Sequence, residues 1–357
     1  MMKKKLIFAG LAALLMLPAL PFRVFSQNSR SVSEQKSVPA LSQPGPEKTF
    51  NFGSRKILES CWSSEELLGN AADKKIKRDT RPAKPPARLE PKNKLDPLKP
   101  GLQNSIRDVN PAGPKKLAAL TFDLCERGNE ITGYDYEIVN YLRANNIKAT
   151  FFAGGKWMLD HPEKIMQLMA DPLFEVGNHA WTHDDLRVEK GIKMEDQILW
   201  TQSQYELFWE ELQSRPCAKQ AGAAEMEKIP KVPLVFRFPY GVCSREALDY
   251  LASSGLPAIQ WSIVTGDPSK TVTSERISAE VIKDIKPGSI IICHANGFGH
   301  GTAAALPEIF HKLKEKGYQF VTVSELLNSG PAFATKSCYE QKPGDNYRYD
   351  KIFGKNK

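Results

Sequence analysis

From residue 116 onward the chain alternates short apolar runs with segments of helical periodicity. The alternation indicates βαβ units and a parallel sheet, because parallel neighbours need a crossover connection. No glycine-rich GxGxxG turn follows a run, so a sheet closed into a barrel is favoured over an open dinucleotide-binding sheet. The predicted strands are 117–122, 149–152, 174–177, 234–238, 258–264, 289–293 and 320–323. The predicted helices are 134–145, 162–170, 193–213, 245–253, 274–284 and 303–316.

Residues 1–26 have the pattern of a secretory signal peptide, with three lysines followed by an apolar run. Val24 and Ser26 suit cleavage before Gln27. The alternative is an uncleaved anchor, but the apolar run is shorter than the roughly 20 residues that a span needs. We therefore expect an exported protein, periplasmic or extracellular, with no stable membrane span after cleavage.

Residues 27–115 are predicted to be a low-complexity, basic and mostly disordered linker. Proline recurs every few residues among lysines in 74–100, a composition that favours an extended chain. The chain has a net charge of +8, yet residues 117–357 carry 27 basic and 31 acidic side chains. The basic excess therefore belongs to the N-terminal third, and nucleic-acid binding by the folded part is not indicated. The basic arm is either a solvated spacer or is attracted to an anionic envelope polymer.

The chain has six cysteines, and none lies in a CxxC or zinc-ligand spacing. In an exported protein they can form disulfides, for which 15 complete pairings exist. The sequence does not choose among them. Cys293 follows an apolar run, so we expect it to be a buried thiol.

Charged and imidazole side chains follow five of the predicted strands, where barrel enzymes carry their chemistry. They are Asp123, the pair His179 and His183, Arg237, Asp267 and His294. Singly, each has a structural interpretation, such as a helix cap, a turn or a buried ion pair. The spacing of the histidine pair would let both imidazoles face one side of a helical turn and bind one metal.

Together these residue types are the ones that a metal-assisted hydrolysis requires. A metal acidifies water and polarises a carbonyl. A carboxylate takes a proton from water, and a histidine gives one to the leaving group. An aspartate behind that histidine fixes its tautomer, and an arginine beside the base keeps it ionised.

At these residues the chain resembles the polysaccharide deacetylases with a NodB homology domain, carbohydrate esterase family 4. TFDLCE at 121–126 is similar to the family's TFDDGP, HAWTH at 179–183 to H[ST]xxH, and RFPYG at 237–241 to RxPY. Later in the chain, WSIVTGD at 261–267 is similar to DxxDW and IIICH at 290–294 to LxLxH. The combination and order of the motifs are more specific than any one of them.

The resemblance implies a distorted (β/α)7 barrel over 116–328, followed by a C-terminal tail at 329–357. It implies removal of acetyl groups from N-acetylated sugars with a divalent metal, Zn²⁺ or similar. The residue roles that it implies are Asp123 as base, Arg237 as its orienting partner, His179 and His183 as metal ligands, His294 as acid, Asp267 as support of the acid, and Tyr240 as a backbone N–H donor to the oxyanion.

The first motif departs from the family where the third metal ligand is expected. Leu124 stands at that position, and leucine cannot ligate. Glu126 is the tentative substitute; water or Asp123 could also complete the set, or metal binding is lost. In the fourth motif only Asp267 remains, with Val264 and Pro268 at the other two positions. We expect a weakened metal site.

Three functions fit these observations. The first is an exported metal-dependent deacetylase acting on peptidoglycan, a chitin-type oligomer or an exopolysaccharide. The second is an amide (C–N) hydrolase on a non-sugar substrate. The third is a non-catalytic glycan-binding protein that has lost its metal. Metal content distinguishes the third from the others, and acetate release from a glycan distinguishes the first from the second.

Overall fold

The computed structural model describes residues 52–354. The predicted signal peptide at 1–26 and the first part of the predicted linker lie outside this range. Across 52–354, none of the helices combines the length and apolar character that crossing a membrane requires.

The strands in the described range are short and mostly buried. In chain order they are β1 (Lys77–Arg78), β2 (Ser105–Val109), β3 (Lys116–Leu124), β4 (Glu130–Ile131), β5 (Ala149–Ala153), β6 (Phe174–Asn178), β7 (Ile263–Val264), β8 (Ile290–His294), β9 (Tyr318–Val321) and β10 (Ala332–Thr335).

The helices alternate with these strands from β3 onward. In chain order they are α1 (Arg55–Cys61), α2 (Ser64–Leu68), α3 (Tyr136–Ala144), α4 (Gly155–Asp160), α5 (Pro162–Ala170), α6 (Ile192–Ser214), α7 (Pro216–Ala221), α8 (Ala223–Met226), α9 (Arg245–Ser253), α10 (Ser274–Asp284), α11 (Thr302–Glu315), α12 (Val323–Asn328) and α13 (Tyr347–Phe353).

A six-stranded parallel sheet forms the centre of the fold, in the order β6-β5-β3-β8-β7, with β9 also paired to β3. Parallel bridges at Asn178–Phe236, Phe236–Ala258 and Ile259–Ile106 continue the pairing beyond β6. The predicted α/β architecture with a parallel, barrel-like sheet is therefore confirmed. The predicted strand at 234–238 is reduced to a single bridge residue, and Pro239 ends it in one turn of 3₁₀ helix.

Alternation along β3 determines which of its side chains reach the interior of the barrel. Leu120, Phe122 and Leu124 pack in a hydrophobic cluster with the surrounding helices, whereas Leu117 and Ala119 pack in a second cluster on the other face. Successive side chains of a strand point to opposite faces. Thr121 and Asp123 therefore belong to the inner face, and Leu124 to the outer one.

Strand β8 runs beside β3 in a register that pairs Asp123 with His294. On β8, Ile290 and Ile292 belong to the inner cluster, and Ile291 and Cys293 to the outer one. His294 therefore follows the inner face, next to Asp123. Cys293 is fully buried, as predicted.

The prediction of a mostly disordered linker at 27–115 is wrong over the described part, 52–115. This segment contains α1, α2, β1 and β2, and β2 pairs antiparallel with β10. Ile57 and Ile106 are fully buried in the core, and Cys61 forms a disulfide with Cys217. The prediction used the average composition of the segment. A few isolated apolar side chains do not change that average, although each of them is buried against the barrel.

A second disulfide joins Cys243 to Cys338 and holds the start of the C-terminal segment on the barrel. Cys125 and Cys293 are unpaired. The tail at 329–357 is therefore structured through residue 354, with β10 and α13 as its elements.

Candidate active site

A cleft of about 260 Å³ opens at the carboxyl ends of β3, β7 and β8. Of the residues predicted for the site, the cleft is lined by Asp123, His183, Tyr240, Asp267 and His294. His179 and Arg237 lie directly behind this surface and are almost fully buried. The structure thus brings together seven of the eight predicted site residues; Glu126 lies elsewhere.

Asp123 and Arg237 form a buried ion pair. Arg237 donates from Nη1 to Asp123 Oδ1 at 2.7 Å and to the Thr121 hydroxyl at 2.8 Å. The guanidinium also stacks over the Phe152 ring, 4.1 Å from its centroid. Burial raises the pKa of Asp123, but Arg237, with the charges of His179 and His294, outweighs burial and leaves the pKa below its ordinary value. Asp123 is therefore a carboxylate at neutral pH and can accept a proton.

His294 and Asp267 form the second polar pair. Asp267 Oδ1 lies 2.9 Å from His294 Nδ1, and Asp267 Oδ2 accepts the His294 backbone N–H at 2.7 Å. Because His294 Nδ1 faces the Asp267 carboxylate, His294 Nε2 faces the cleft. Burial lowers the pKa of His294, but Asp267, with a smaller contribution from Cys125, outweighs burial and raises the pKa well above the ordinary value. The imidazolium is therefore the stable form at neutral pH, as a proton donor requires.

His179 and His183 lie close together, with ring centroids 4.9 Å apart. The helical turn expected from their spacing is absent, because Ala180 and His183 adopt left-handed backbone conformations with φ of 65° and 57°. A bent loop after β6 brings the rings together instead. His179 Nδ1 donates to the Arg237 carbonyl at 2.9 Å, which directs Nε2 toward Cys125 and Asp123, on the side where a metal would take the place of its proton.

Cys125 lies at the cleft beside the two histidines, and the sequence analysis assigned it no role. Its Sγ lies 3.4 Å from His179 Nε2. The donor atoms of Cys125, His179 and His183 all lie within 4.8 Å of one another, and Cys125 also forms such a group with Asp123 and His294. Burial raises the pKa of the Cys125 thiol, but His183 and His179 outweigh it and hold the pKa well below the ordinary value. The signal in the sequence was a cysteine two residues after the predicted base.

The structure contradicts Glu126 as a metal ligand. Its carboxylate is fully buried away from the histidines, accepting from Lys156 Nζ at 2.9 Å and from the Thr132 backbone at 2.7 Å. Lys156 also contacts Asp160 at 2.8 Å and Asp79 at 3.1 Å. Glu126 follows Cys125 by one residue and points the other way, so its interactions are structural.

Tyr240 lies in a left-handed conformation, with φ of 58°, directly after Pro239. Its ring packs edge-on against His183, with centroids 4.4 Å apart, and contacts Tyr349 and Phe353 of α13. The C-terminal segment thus forms one wall of the cleft. The backbone donor role implied for Tyr240 stays a prediction.

The aromatic residues at and behind the cleft divide into two groups. Trp157 and Trp181 are buried in the core and cannot reach a ligand. Phe238, Trp261 and Phe298 line the cleft. The Trp261 indole N–H donates to the Glu340 carbonyl at 3.0 Å, which ties the ring to the C-terminal wall.

The family profile and the similar proteins of known function indicate the same family. The polysaccharide deacetylase profile matches residues 110–259. A peptidoglycan-N-acetylglucosamine deacetylase of Bacillus cereus is 31% identical over 216 residues, covering 60% of this chain and 89% of that protein. The peptidoglycan-N-acetylglucosamine deacetylase PgdA of Listeria monocytogenes is 29% identical over 221 residues, 62% of this chain; the match spans 41% of the length of the Listeria protein.

Among solved structures, the chain is similar to a mutant of BA3943 from Bacillus anthracis, a CE4 family pseudoenzyme with restored enzymatic activity. The similarity has a TM-score of 0.50 at 25% identity and covers 64% of this chain and 72% of that one. Active and inactive proteins therefore share this fold, and the side chains in the cleft must decide between the two.

Proposed function

The chain belongs to the polysaccharide deacetylase family, and on this premise we propose that it is an exported, metal-dependent hydrolase that removes N-acetyl groups from an N-acetylated glycan. Two matched relatives are peptidoglycan-N-acetylglucosamine deacetylases, so peptidoglycan is the first substrate to test. A chitin-type oligomer and an exopolysaccharide are the other candidates.

One observation carries the proposal. Asp123 and His294 are register partners on adjacent strands, and each has a buried partner that favours the charge state it needs. Arg237 keeps Asp123 ionised, while Asp267 keeps His294 protonated. A proton acceptor and a proton donor in one cleft are what hydrolysis of an amide requires.

The donor chemistry of the cleft fits a divalent metal. His179 and His183 offer imidazole nitrogens, and a thiol and a carboxylate lie beside them. These are N, S and O ligands of the kind that Zn²⁺ takes in proteins. A bound divalent metal supplies Lewis acidity, which polarises a carbonyl and acidifies water.

The protein's own groups carry the protons. Asp123 accepts a proton from the water that attacks the acetyl carbonyl carbon. His294 donates its proton to the sugar nitrogen as the C–N bond breaks, so that the products are acetate and a free amino sugar. The half-buried aromatic side chains that line the cleft, Tyr240, Phe298 and Tyr349, hold the sugar ring by stacking. Attraction of the basic arm to an anionic envelope polymer stays a prediction.

The test is acetate release from peptidoglycan, chitin oligomers and an acetylated exopolysaccharide, with and without chelator. We expect chelator-sensitive release, lowered by at least about 10²-fold in Asp123→Asn and His294→Ala. His311→Ala is the matched control, because His311 is an exposed histidine on α11. Release from small non-sugar acetamides but from no glycan would favour an amide hydrolase on another substrate. No release from any substrate, with metal bound, would contradict the proposal.

Export is tested separately by the N-terminal sequence of the mature protein, which should begin near Gln27. Exported protein that retains its first 26 residues would indicate the uncleaved anchor instead of a signal peptide, and protein that remains in the cytoplasm would contradict export.

A further inference from the structure

We infer that Cys125 is the third protein ligand of the metal, binding through its sulfur where Leu124 has removed the expected oxygen ligand. The inference rests on the proposed function only in assuming that a metal occupies the cleft. It changes the metal centre from an all-oxygen-and-nitrogen site to a Cys-His-His site.

Strand geometry explains why position 125, rather than 124, can take this role. The side chain of Leu124 is fully buried in the outer hydrophobic cluster. The next residue along an extended chain points to the opposite face. Cys125 therefore faces the cleft that Asp123 also lines, and its thiol is carried to the two histidines without any rearrangement of β3.

The distances suit one ion. Zn–S bonds of about 2.3 Å and Zn–N bonds of about 2.0 Å at a tetrahedral angle place sulfur and nitrogen roughly 3.5 Å apart. Cys125 Sγ and His179 Nε2 are 3.4 Å apart. The His183 donor completes a group within 4.8 Å. One donor pair is thus already at the spacing of ligands on a tetrahedral ion, and the His183 nitrogen lies within 4.8 Å of both.

The surrounding contacts orient the donors for this purpose. The Arg237 carbonyl holds His179 Nδ1–H at 2.9 Å, so that Nε2 faces the sulfur. Cys125 is in no disulfide, although four other cysteines of the chain are paired. Cys293, the other unpaired cysteine, is fully buried on the outer face of β8 and cannot reach the cleft.

A thiolate ligand has a consequence for metal choice. Soft sulfur ligands favour Zn²⁺ and its spectroscopic substitute Co²⁺ over harder ions such as Mg²⁺ and Mn²⁺, which prefer oxygen. This chain should therefore discriminate more strongly against hard ions than a Cys125→Asp variant, in which a carboxylate replaces the sulfur.

The test is titration of the metal-free full chain with cobalt(II) chloride, followed by absorption. We expect a thiolate-to-cobalt charge-transfer band in the near ultraviolet for the parent chain. Cys293→Ser, the matched control, should keep the band. Cys125→Ser and Cys125→Asp should lose it, and Cys125→Ser should bind Zn²⁺ at least about tenfold more weakly. Bound Zn²⁺ should also protect Cys125 from alkylation.

The possible outcomes distinguish a failure of this inference from a failure of the proposed function. The spectrum of the parent chain tests the Cys125 ligand even if a variant does not fold. Cobalt bound without a charge-transfer band would overturn the Cys125 ligand and leave deacetylation standing. A charge-transfer band in a protein that releases no acetate would support the ligand while the proposed function fails. Acetate release by metal-free protein, with an acetyl group found on Cys125, would make the sulfur a nucleophile and overturn its role as a ligand.

Discussion

Asp267 binds His294 through both carboxylate oxygens, one to the imidazole Nδ1 at 2.9 Å and one to the backbone N–H at 2.7 Å. The hydroxyls of Thr265 and Thr302 donate to the same carboxylate at 3.1 Å and 2.7 Å. Asp267 is thus fixed by four contacts, and its negative charge is directed at one side of the imidazole. The pKa of His294 therefore depends on this aspartate.

Asp267→Asn is expected to move the alkaline limb of the pH–rate profile to lower pH. His294 works while protonated, so activity falls as the pH rises through its pKa, and that pKa drops when the anion is removed. Metal content should stay unchanged. Asp249→Asn, at an exposed carboxylate on α9, is the control. An alkaline limb that does not move would contradict the pairing.

Arg237→Gln is expected to move the acidic limb to higher pH and to lower turnover at neutral pH by about tenfold or more, because part of the roughly 10²–10⁴-fold contribution of the general base is lost. Burial raises the pKa of Asp123 once the opposing charge of Arg237 is gone, so the base stays protonated to higher pH. The measurement is turnover against pH beside Arg245→Gln, which removes an exposed arginine. Unchanged acidic limbs in both variants would show that Arg237 does not control the base.

Lys156→Met is expected to destabilise the fold by about 3 kcal/mol or more, the usual cost of removing one partner from a buried ion pair. The variant removes the cation that the buried Glu126 carboxyl group shares with Asp79 and Asp160, which lie 2.9, 3.1 and 2.8 Å from Lys156 Nζ in the parent. Burial and the nearby Asp160 raise the pKa of Glu126 to about 8, so the charges left unpaired at neutral pH are those of Asp79 and Asp160. Urea denaturation measures the loss. Lys94→Met removes an exposed lysine from a surface pair with Glu90 and should change stability by less than about 1 kcal/mol. Equal effects of the two substitutions would refute the structural role.

A chain that begins at Asn110 is expected to unfold at a clearly lower temperature than one that begins at Gln27. The shorter chain loses β2, which pairs with β10, together with the buried Ile106 and the Cys61–Cys217 disulfide. A disulfide alone contributes typically about 2–4 kcal/mol. Thermal unfolding followed by circular dichroism compares the two chains. Equal melting temperatures would mean that residues 27–109 do not contribute to the stability of the barrel.

The double substitution Tyr349→Ala and Phe353→Ala is expected to raise KM by about 2- to 10-fold with little change in kcat. Both rings contact Tyr240 at the cleft wall, with centroids 5.2 Å and 4.8 Å away, and aromatic contacts contribute about 0.5–1.5 kcal/mol. The proton-transfer groups lie on other elements, so the chemical step should persist. Ile352→Ala, at an exposed position of α13, is the control. A fall in kcat at constant KM would place α13 in the chemistry instead.

The positions of the residues at the predicted strand ends could be predicted from the sequence. Asp123 and His294 were placed correctly at the carboxyl ends of two strands, because periodicity marks where a strand stops and parallel strands end at one edge of the sheet. The histidine pair was also brought together, but by a left-handed loop rather than a helical turn, since spacing alone does not specify φ.

The wrong prediction for Glu126 and the lack of any prediction for Cys125 have one physical reason. To choose between Cys125 and Glu126 as the ligand that replaces Leu124, one must know on which face of β3 each side chain lies. That depends on where the strand ends. Lys156, 30 residues later, donates a hydrogen bond to Glu126 and holds its carboxyl group in a buried position. Long-range partners of this kind leave no local signal.

The sequence by itself determined the alternating α/β architecture, the family and the order of the catalytic motifs, since these follow from local periodicity and from residues adjacent in the chain. Tertiary structure alone decided that residues 52–115 dock on the barrel, that Cys61 pairs with Cys217, and that Cys125 stands beside His179. These contacts join residues that are far apart in sequence. Their free energy comes from burial and from fixed geometry, which exist only once the sheet has assembled.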